Sequence, residues 1–291
     1  MKFLRVFFVN ILLLFLIFCL SEFCLFKSTQ KIIPNLKYHI QKMPYLNSVY
    51  GEKFREPAGI EFETRPIVLL GCSFAYGQGL DYKDIFSVKL SEISKRPVYN
   101  YAKKGKGIQS ALFIIQKDVI QAKNPEYIIY LYMDDHIRRL YSSCSIDDYV
   151  GYPIYVFNKD GYMELKHDSF PIYRQFYTFY YWNNVVFKKI LKQNSSYNNK
   201  LLTAYFRTIN KTIKEKYPNT KFVVLAFSNQ EFLKYDSLNL NDYGIIFLNS
   251  NVLAGFDLTA EQYWQSKNDT HPTAEVWKIL APLVSKELNL I

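Results

Sequence analysis

Apolar and polar positions fall into three regimes along this 291-residue chain. Residues 6–20 (VFFVNILLLFLIFCL) are apolar but for Asn10, and the run carries on through Ser21 and Glu22 to Phe26. Residues 27–62 show no period. They are polar, dotted with aromatics and broken by Pro34, Pro44 and Pro57, which reads as a stalk that wraps onto the domain C-terminal to it. From residue 63 onward, short apolar runs alternate with stretches at helical spacing. Ile67–Leu70 (IVLL), residues 98–101, Tyr127–Tyr132 (YIIYLY) and residues 222–227 (FVVLAF) and 245–248 predict strands. Phe86–Ser94 and residues 108–122, 201–216 and 273–288 predict helices. The third strand is continuously apolar rather than alternating, as expected of a strand covered on both faces. Strands and helices in alternation predict an α/β fold, a three-layer α/β/α sandwich with a parallel sheet that binds ligands at the carboxyl ends of its strands.

One region interrupts the alternation. Residues 141–191 are rich in Tyr and Phe, and within them residues 152–157 and 162–166 flank Asn158-Lys159-Asp160-Gly161, the pattern of a β-hairpin. An insertion of this length suits a lid or a substrate-binding wall. Its aromatic face fits either stacking on sugar rings or a small extra core.

The N-terminal run changes the picture of where the chain resides. Residues 6–26, at about 1.5 Å per residue in a helix, match roughly the 30 Å of a hydrocarbon layer. Lys2 and Arg5 precede the run, which ends Cys-Leu-Ser-Glu-Phe-Cys-Leu-Phe without the small residues of a cleavage site. The expectation is an uncleaved signal anchor over residues 1–26, one transmembrane helix, with a stalk over 27–62 and an extracytoplasmic domain over 63–291. Lys27 and Lys31 put charge on the far flank as well.

The 36 basic and 26 acidic residues leave a net charge of +10. The lysines are scattered and form no stripe, so a nucleic-acid partner is not expected, and a solvated surface lying near an anionic membrane is. Of four cysteines, Cys19 and Cys24 lie in the apolar run, Cys72 and Cys144 far from it and from each other, a distribution that predicts no disulfide framework.

Two short segments carry candidate chemistry. Gly71-Cys72-Ser73-Phe74-Ala75-Tyr76-Gly77 follows the first strand directly, which would set the Ser73 hydroxyl above the sheet. A serine hydroxyl is a weak nucleophile and needs a neighbouring base. Asn268-Asp269-Thr270-His271-Pro272-Thr273 precedes the last helix. In one reading it is a capping turn with Asp269 or Thr273 as cap. In the other, His271 takes the Ser73 proton while Asp269 holds the imidazole tautomer. The chain order Ser, Asp, His is more specific than either segment alone. His39 and His167 have no partner at ligand spacing, and no metal or cofactor is expected.

These segments resemble the blocks of the SGNH (GDSL-like) hydrolases. GCSFAYGQGL is similar to the first block, with Gly-Asp-Ser-Leu replaced by Gly-Cys-Ser-Phe. Val98-Tyr99-Asn100 through Gly105-Lys106-Gly107 resembles the second, and DTHPTAEVWKILAPL the last. The likeness covers residues 65–140 and 220–291. It implies a flavodoxin-like fold and ester hydrolysis or acyl transfer without a metal, with Ser73, Asp269 and His271 catalytic and the amides of Ser73 and Gly105 in the oxyanion hole. There are two departures. Asp134, in Tyr132-Met133-Asp134-Asp135, stands where the family carries an asparagine whose amide donates to the oxyanion. The acid lies one residue from the histidine, which selects Asp269, whereas a spacing of two would select Asn268. A carboxylate in an oxyanion hole is unfavourable, so Asp134 is expected to pair with Arg138 or Arg139, with His136 or an arginine as the substitute donor. His136 is read either as an auxiliary of this kind or as a structural histidine paired to Asp135. The function implied is a membrane-anchored serine esterase that removes acyl groups, O-acetyl above all, from a surface glycan or lipid-linked saccharide. An acyltransferase of the same fold, or a degenerate glycan-binding or assembly protein, are the alternatives.

Overall fold

The computed structural model describes residues 10, 13–21, 23–24, 54–141, 153–167, 195–227 and 238–291. Five strands form a single parallel sheet: β1 (Ile67–Leu70), β2 (Val98–Asn100), β3 (Tyr127–Tyr132), β6 (Lys221–Ala226) and β7 (Ile246–Asn249), in the order β2–β1–β3–β6–β7. Counted along the chain this is 2-1-3-4-5, the flavodoxin-like order, and the strand order reverses between β1 and β3. All six residues of β3 are buried, as its continuous apolar run predicts.

Alternate residues of the strands feed two cores. On one face Leu69, Ile129, Leu131 and Leu225 pack against helices α2 (Phe86–Ser94) and α7 (Ala274–Glu287), around the fully buried Trp277. On the other, Val68, Ile128, Tyr130 and Val224 pack against α3 (Ile108–Gln116) and α5 (Ser195–Lys216). The tyrosines of β3 add apolar bulk but bring hydroxyls that need partners. Tyr127 donates to the Leu288 carbonyl at 2.8 Å, tying the central strand to the end of α7. The short helix α6 (Ser250–Ala254) follows β7 and is capped by the Asn249 side chain, which accepts from the Asn251 and Val252 amides.

Helix α3 is shorter than its apolar period predicts, because Lys117 leaves the helical region and Asp118 takes a left-handed φ of 54°. The predicted hairpin is present as β4 (Ile154–Phe157) and β5 (Met163–His167). Tyr155 and Met163 are buried in the α3–α5 core, the Tyr155 hydroxyl donating to Gln116 Oε1 and the Met163 N–H to Thr208 Oγ1, both at 2.8 Å. Through Tyr155 and Met163 this described part of the aromatic insertion extends the core. The rest of 141–191, His39 and Cys144 lie outside the described residues.

Residue Ala58 bridges to Val98, so the chain reaches the β2 edge before β1 begins. In the N-terminal run residues 13–21 are helical, and Leu13, Leu14, Phe15, Leu16 and Ile17 are each half or more exposed. Among the described residues no helix is long and apolar enough to cross a membrane.

Candidate active site

The chain leaves β1 through Gly71, whose φ of 152° and surroundings both require glycine: a Cβ there would stand 2.8 Å from that of Ala75 and 3.1 Å from the Leu131 carbonyl. This close turn starts the short helix α1 (Ser73–Tyr76) directly above the carboxyl end of β1, with Ser73 as its first residue and only 6% exposed. The turn is closed by Gln78 N–H donating to the Ser73 carbonyl at 3.0 Å.

Asn100, at the end of β2 and 2% exposed, fixes this turn from the side. Its amide nitrogen donates to the Ala75 carbonyl at 2.8 Å and to Ser87 Oγ at 3.3 Å, and its oxygen accepts from Ala102 N–H at 3.0 Å. The residue pattern assigns Asn100 no role of its own. The available signal was an amide side chain closing an otherwise buried strand. Beyond it the chain still tracks β1, with Tyr101 N–H on the Leu69 carbonyl and Lys103 N–H on that of Gly71, so the turn holding Gly105 runs beside Ser73.

The segment after β3 holds three further residues that the sequence singled out, Asp134, His136 and Arg139. His136 is fully buried, with Nδ1 2.7 Å from the Tyr130 hydroxyl and the ring packed among Tyr130 and Tyr132. Arg139, on helix α4 (Asp135–Tyr141) and 7% exposed, pairs with Asp135 at 2.8 Å. Its Nη1 donates to the Lys106 carbonyl at 2.6 Å, and its own carbonyl accepts from Gln109 Nε2 at 2.7 Å. Arg139 thus braces the loop that carries Gly105. The side chain of Arg138 lies outside the described residues. Asp134 sits half-buried in the turn between β3 and α4.

The segment before the last helix forms a hairpin, β8 (Trp264–Ser266) with β9 (Asp269–Pro272), and Thr273, one of the two candidate caps, is the N-cap of α7 without a side-chain cap hydrogen bond. Asp269 Oδ1 accepts from the His271 backbone N–H at 3.0 Å and from Nδ1 at 2.5 Å. Burial acts to raise the Asp269 pKa, but the ring hydrogen bond, the backbone hydrogen bond and the imidazolium charge outweigh it and hold the carboxyl below its ordinary value. With the carboxylate on Nδ1, the other ring nitrogen is the one left able to accept a proton. Asn268 is exposed in the hairpin turn. The His271 ring lies 5.3 Å from that of Phe74, the neighbour of Ser73. Among the described residues no hydrogen bond joins Ser73 to His271. Behind the Ser73 turn, Cys72 is a buried thiol with Sγ 3.3 Å from Met133 Sδ.

No protein-family model and no curated protein matches this chain. Among solved structures it is similar to a member of the lipolytic protein G-D-S-L family from Veillonella parvula (11% identity, TM-score 0.44), over 78% of this chain and all of that one. It is similar also to an acetyl xylan esterase from Butyrivibrio proteoclasticus (10% identity, TM-score 0.46), over 78% of this chain and 65% of that one. A third is a carbohydrate esterase family 2 enzyme with a carbohydrate-binding domain from Corynascus thermopiles (12% identity, TM-score 0.44), over 80% of this chain and 67% of that one.

The site therefore brings together a serine at the switch point of the sheet, a histidine oriented by a carboxylate, and a glycine turn alongside. Among the described residues no three His, Cys, Asp or Glu side chains converge as a metal ion would require.

Proposed function

We propose that this protein is a serine esterase in which Ser73 Oγ attacks an ester carbonyl, His271 takes the serine proton and returns it to the leaving alcohol, and water then releases the acyl group by the same route. Asp269 orients His271 and stabilises its charged form, and the amides of Ser73 and Gly105 receive the oxyanion. The observation that carries this reading is the Asp269–His271 pair held on a hairpin against the Ser73 turn, at the carboxyl end of β1. The low exposure of Ser73 favours a small acyl group such as acetyl. For the alcohol side, the exposed Phe256 stacks on Tyr263 at the foot of the same hairpin (6.0 Å, 28°), an aromatic surface suited to a sugar ring. Incubating the full-length chain in detergent with an O-acetylated polysaccharide tests this. Free acetate, lost with Ser73→Ala, is the expected product; acetate found instead on an added oligosaccharide would mark a transferase, and the absence of both products would contradict the proposal.

Asp134 sets a limit on this chemistry. An oxyanion donor is worth about 3–4 kcal/mol, and a carboxylate 4 Å from the oxyanion repels it by about 4 kcal/mol at an effective dielectric near 20. An active esterase therefore keeps the Asp134 charge out of the hole. Asp134→Asn is expected to change acetyl-ester turnover by less than about tenfold, or 1.4 kcal/mol, while Arg139→Ala, which frees the Gly105 loop, lowers it more. A large gain with Asp134→Asn would mean that the carboxylate occupies the hole and that hydrolysis is not the protein's main task.

The apolar helix at residues 13–21 exposes its side chains to whatever surrounds it. We propose that the N-terminal run anchors the chain in a bilayer. The full-length protein is expected to stay with membranes through an alkaline carbonate wash, and a mature N-terminus beyond residue 20 would show that the run is removed.

A further inference from the structure

The nucleophile and the proposed base sit on elements far apart in the chain, and something must hold the α1 turn and the β8–β9 hairpin in register. Gln265, on β8, reaches from the hairpin to the loop behind Ser73. Its Nε2 donates to the Gln78 carbonyl at 2.6 Å and to the Pro272 carbonyl at 3.2 Å. Gln78 in turn donates its N–H to the Ser73 carbonyl at 3.0 Å, and Pro272 follows His271 directly. One amide group thus closes a chain of hydrogen bonds from the backbone of Ser73 to the residue after His271. Gly79 makes room for it, since a Cβ there, at φ 80°, would stand 2.0 Å from Gln265 Oε1.

We infer that Gln265 is a positioning residue that sets the distance between Ser73 and His271. The inference rests on the esterase reading above. Both hydrogen bonds come from a single nitrogen, so a side chain of the same reach that cannot donate releases both carbonyls at once. The hairpin then loses its link to the nucleophile loop, while the Asp269–His271 pair, carried wholly on β9, keeps its geometry.

The test is Gln265→Met in the full-length chain, by steady-state turnover of 4-nitrophenyl acetate and by the rate at which a fluorophosphonate labels Ser73. A misplacement of about 1 Å costs roughly a hundredfold in rate. The expected result is a fall of that order in kcat and in labelling rate, with KM nearly unchanged, both per folded molecule. Wild-type labelling rates in Gln265→Met, or a loss that merely follows the unfolded fraction, would overturn the inference and leave the esterase reading standing. Absence of Ser73 labelling in the wild type would remove the esterase reading and this inference with it.

Discussion

Ser73→Ala in the full-length chain is expected to lower turnover of 4-nitrophenyl acetate by roughly 10⁴- to 10⁶-fold, and His271→Ala by a similar factor. The double variant should be no worse than either, because the two groups act in one proton transfer and their losses do not add. The fold should survive. Ser73 loses only a hydroxyl, from a turn held by Gly71, Asn100 and backbone hydrogen bonds, so the midpoint of thermal unfolding is expected to move by no more than about 3 °C. Turnover that persists in Ser73→Ala would place the nucleophile elsewhere.

Asp269→Ala has the second largest expected effect, a loss of roughly 10⁴-fold, against less than about twofold for Asn268→Ala. The difference follows from geometry, since Asp269 holds the His271 ring and Asn268 is exposed in the turn. The two substitutions decide between the one- and two-residue spacings of acid and histidine. The same pair has a pH signature. The Asp269 carboxyl is held below its ordinary value of 3.8, so the pairing is fully present above that pH and is lost only as pH falls through the lower folded-state value. Protonation of Asp269 should therefore weaken the hairpin only below about pH 4. Asp269→Asn, compared with wild type by thermal unfolding across pH 2–6, should abolish that component; an identical acid profile for the two proteins would mean that the pair contributes nothing to the fold.

Much of this arrangement was legible in the residues. Continuous apolar runs give strands buried on both faces, and their alternation with helical periods gives the parallel sheet. The register of β1 with β3 could then be inferred only in kind, yet it is what lifts Ser73 to the switch point. The order of Ser73, Asp269 and His271 singled out the three side chains that the fold places on adjoining elements. What the sequence hid was local polar geometry. Residues 269–272 form a strand because β8 pairs with them, and no periodicity in four residues announces such a hairpin. His136 and Arg139 follow β3, but nothing in their spacing announces that one reaches Tyr130 and the other Asp135 and the Lys106 carbonyl. Asn100 and Gln265 bind carbonyl groups on distant loops, and a donor that serves a backbone acceptor leaves no complementary side chain to notice in the sequence.

The most direct test of the central claim is peptide mass spectrometry of the full-length protein after treatment with a fluorophosphonate. A covalent phosphonyl adduct on Ser73 is the expected result, strongly slowed when His271 is replaced by alanine. An unmodified Ser73 in protein shown to be folded, or an adduct that forms equally fast without His271, would contradict it.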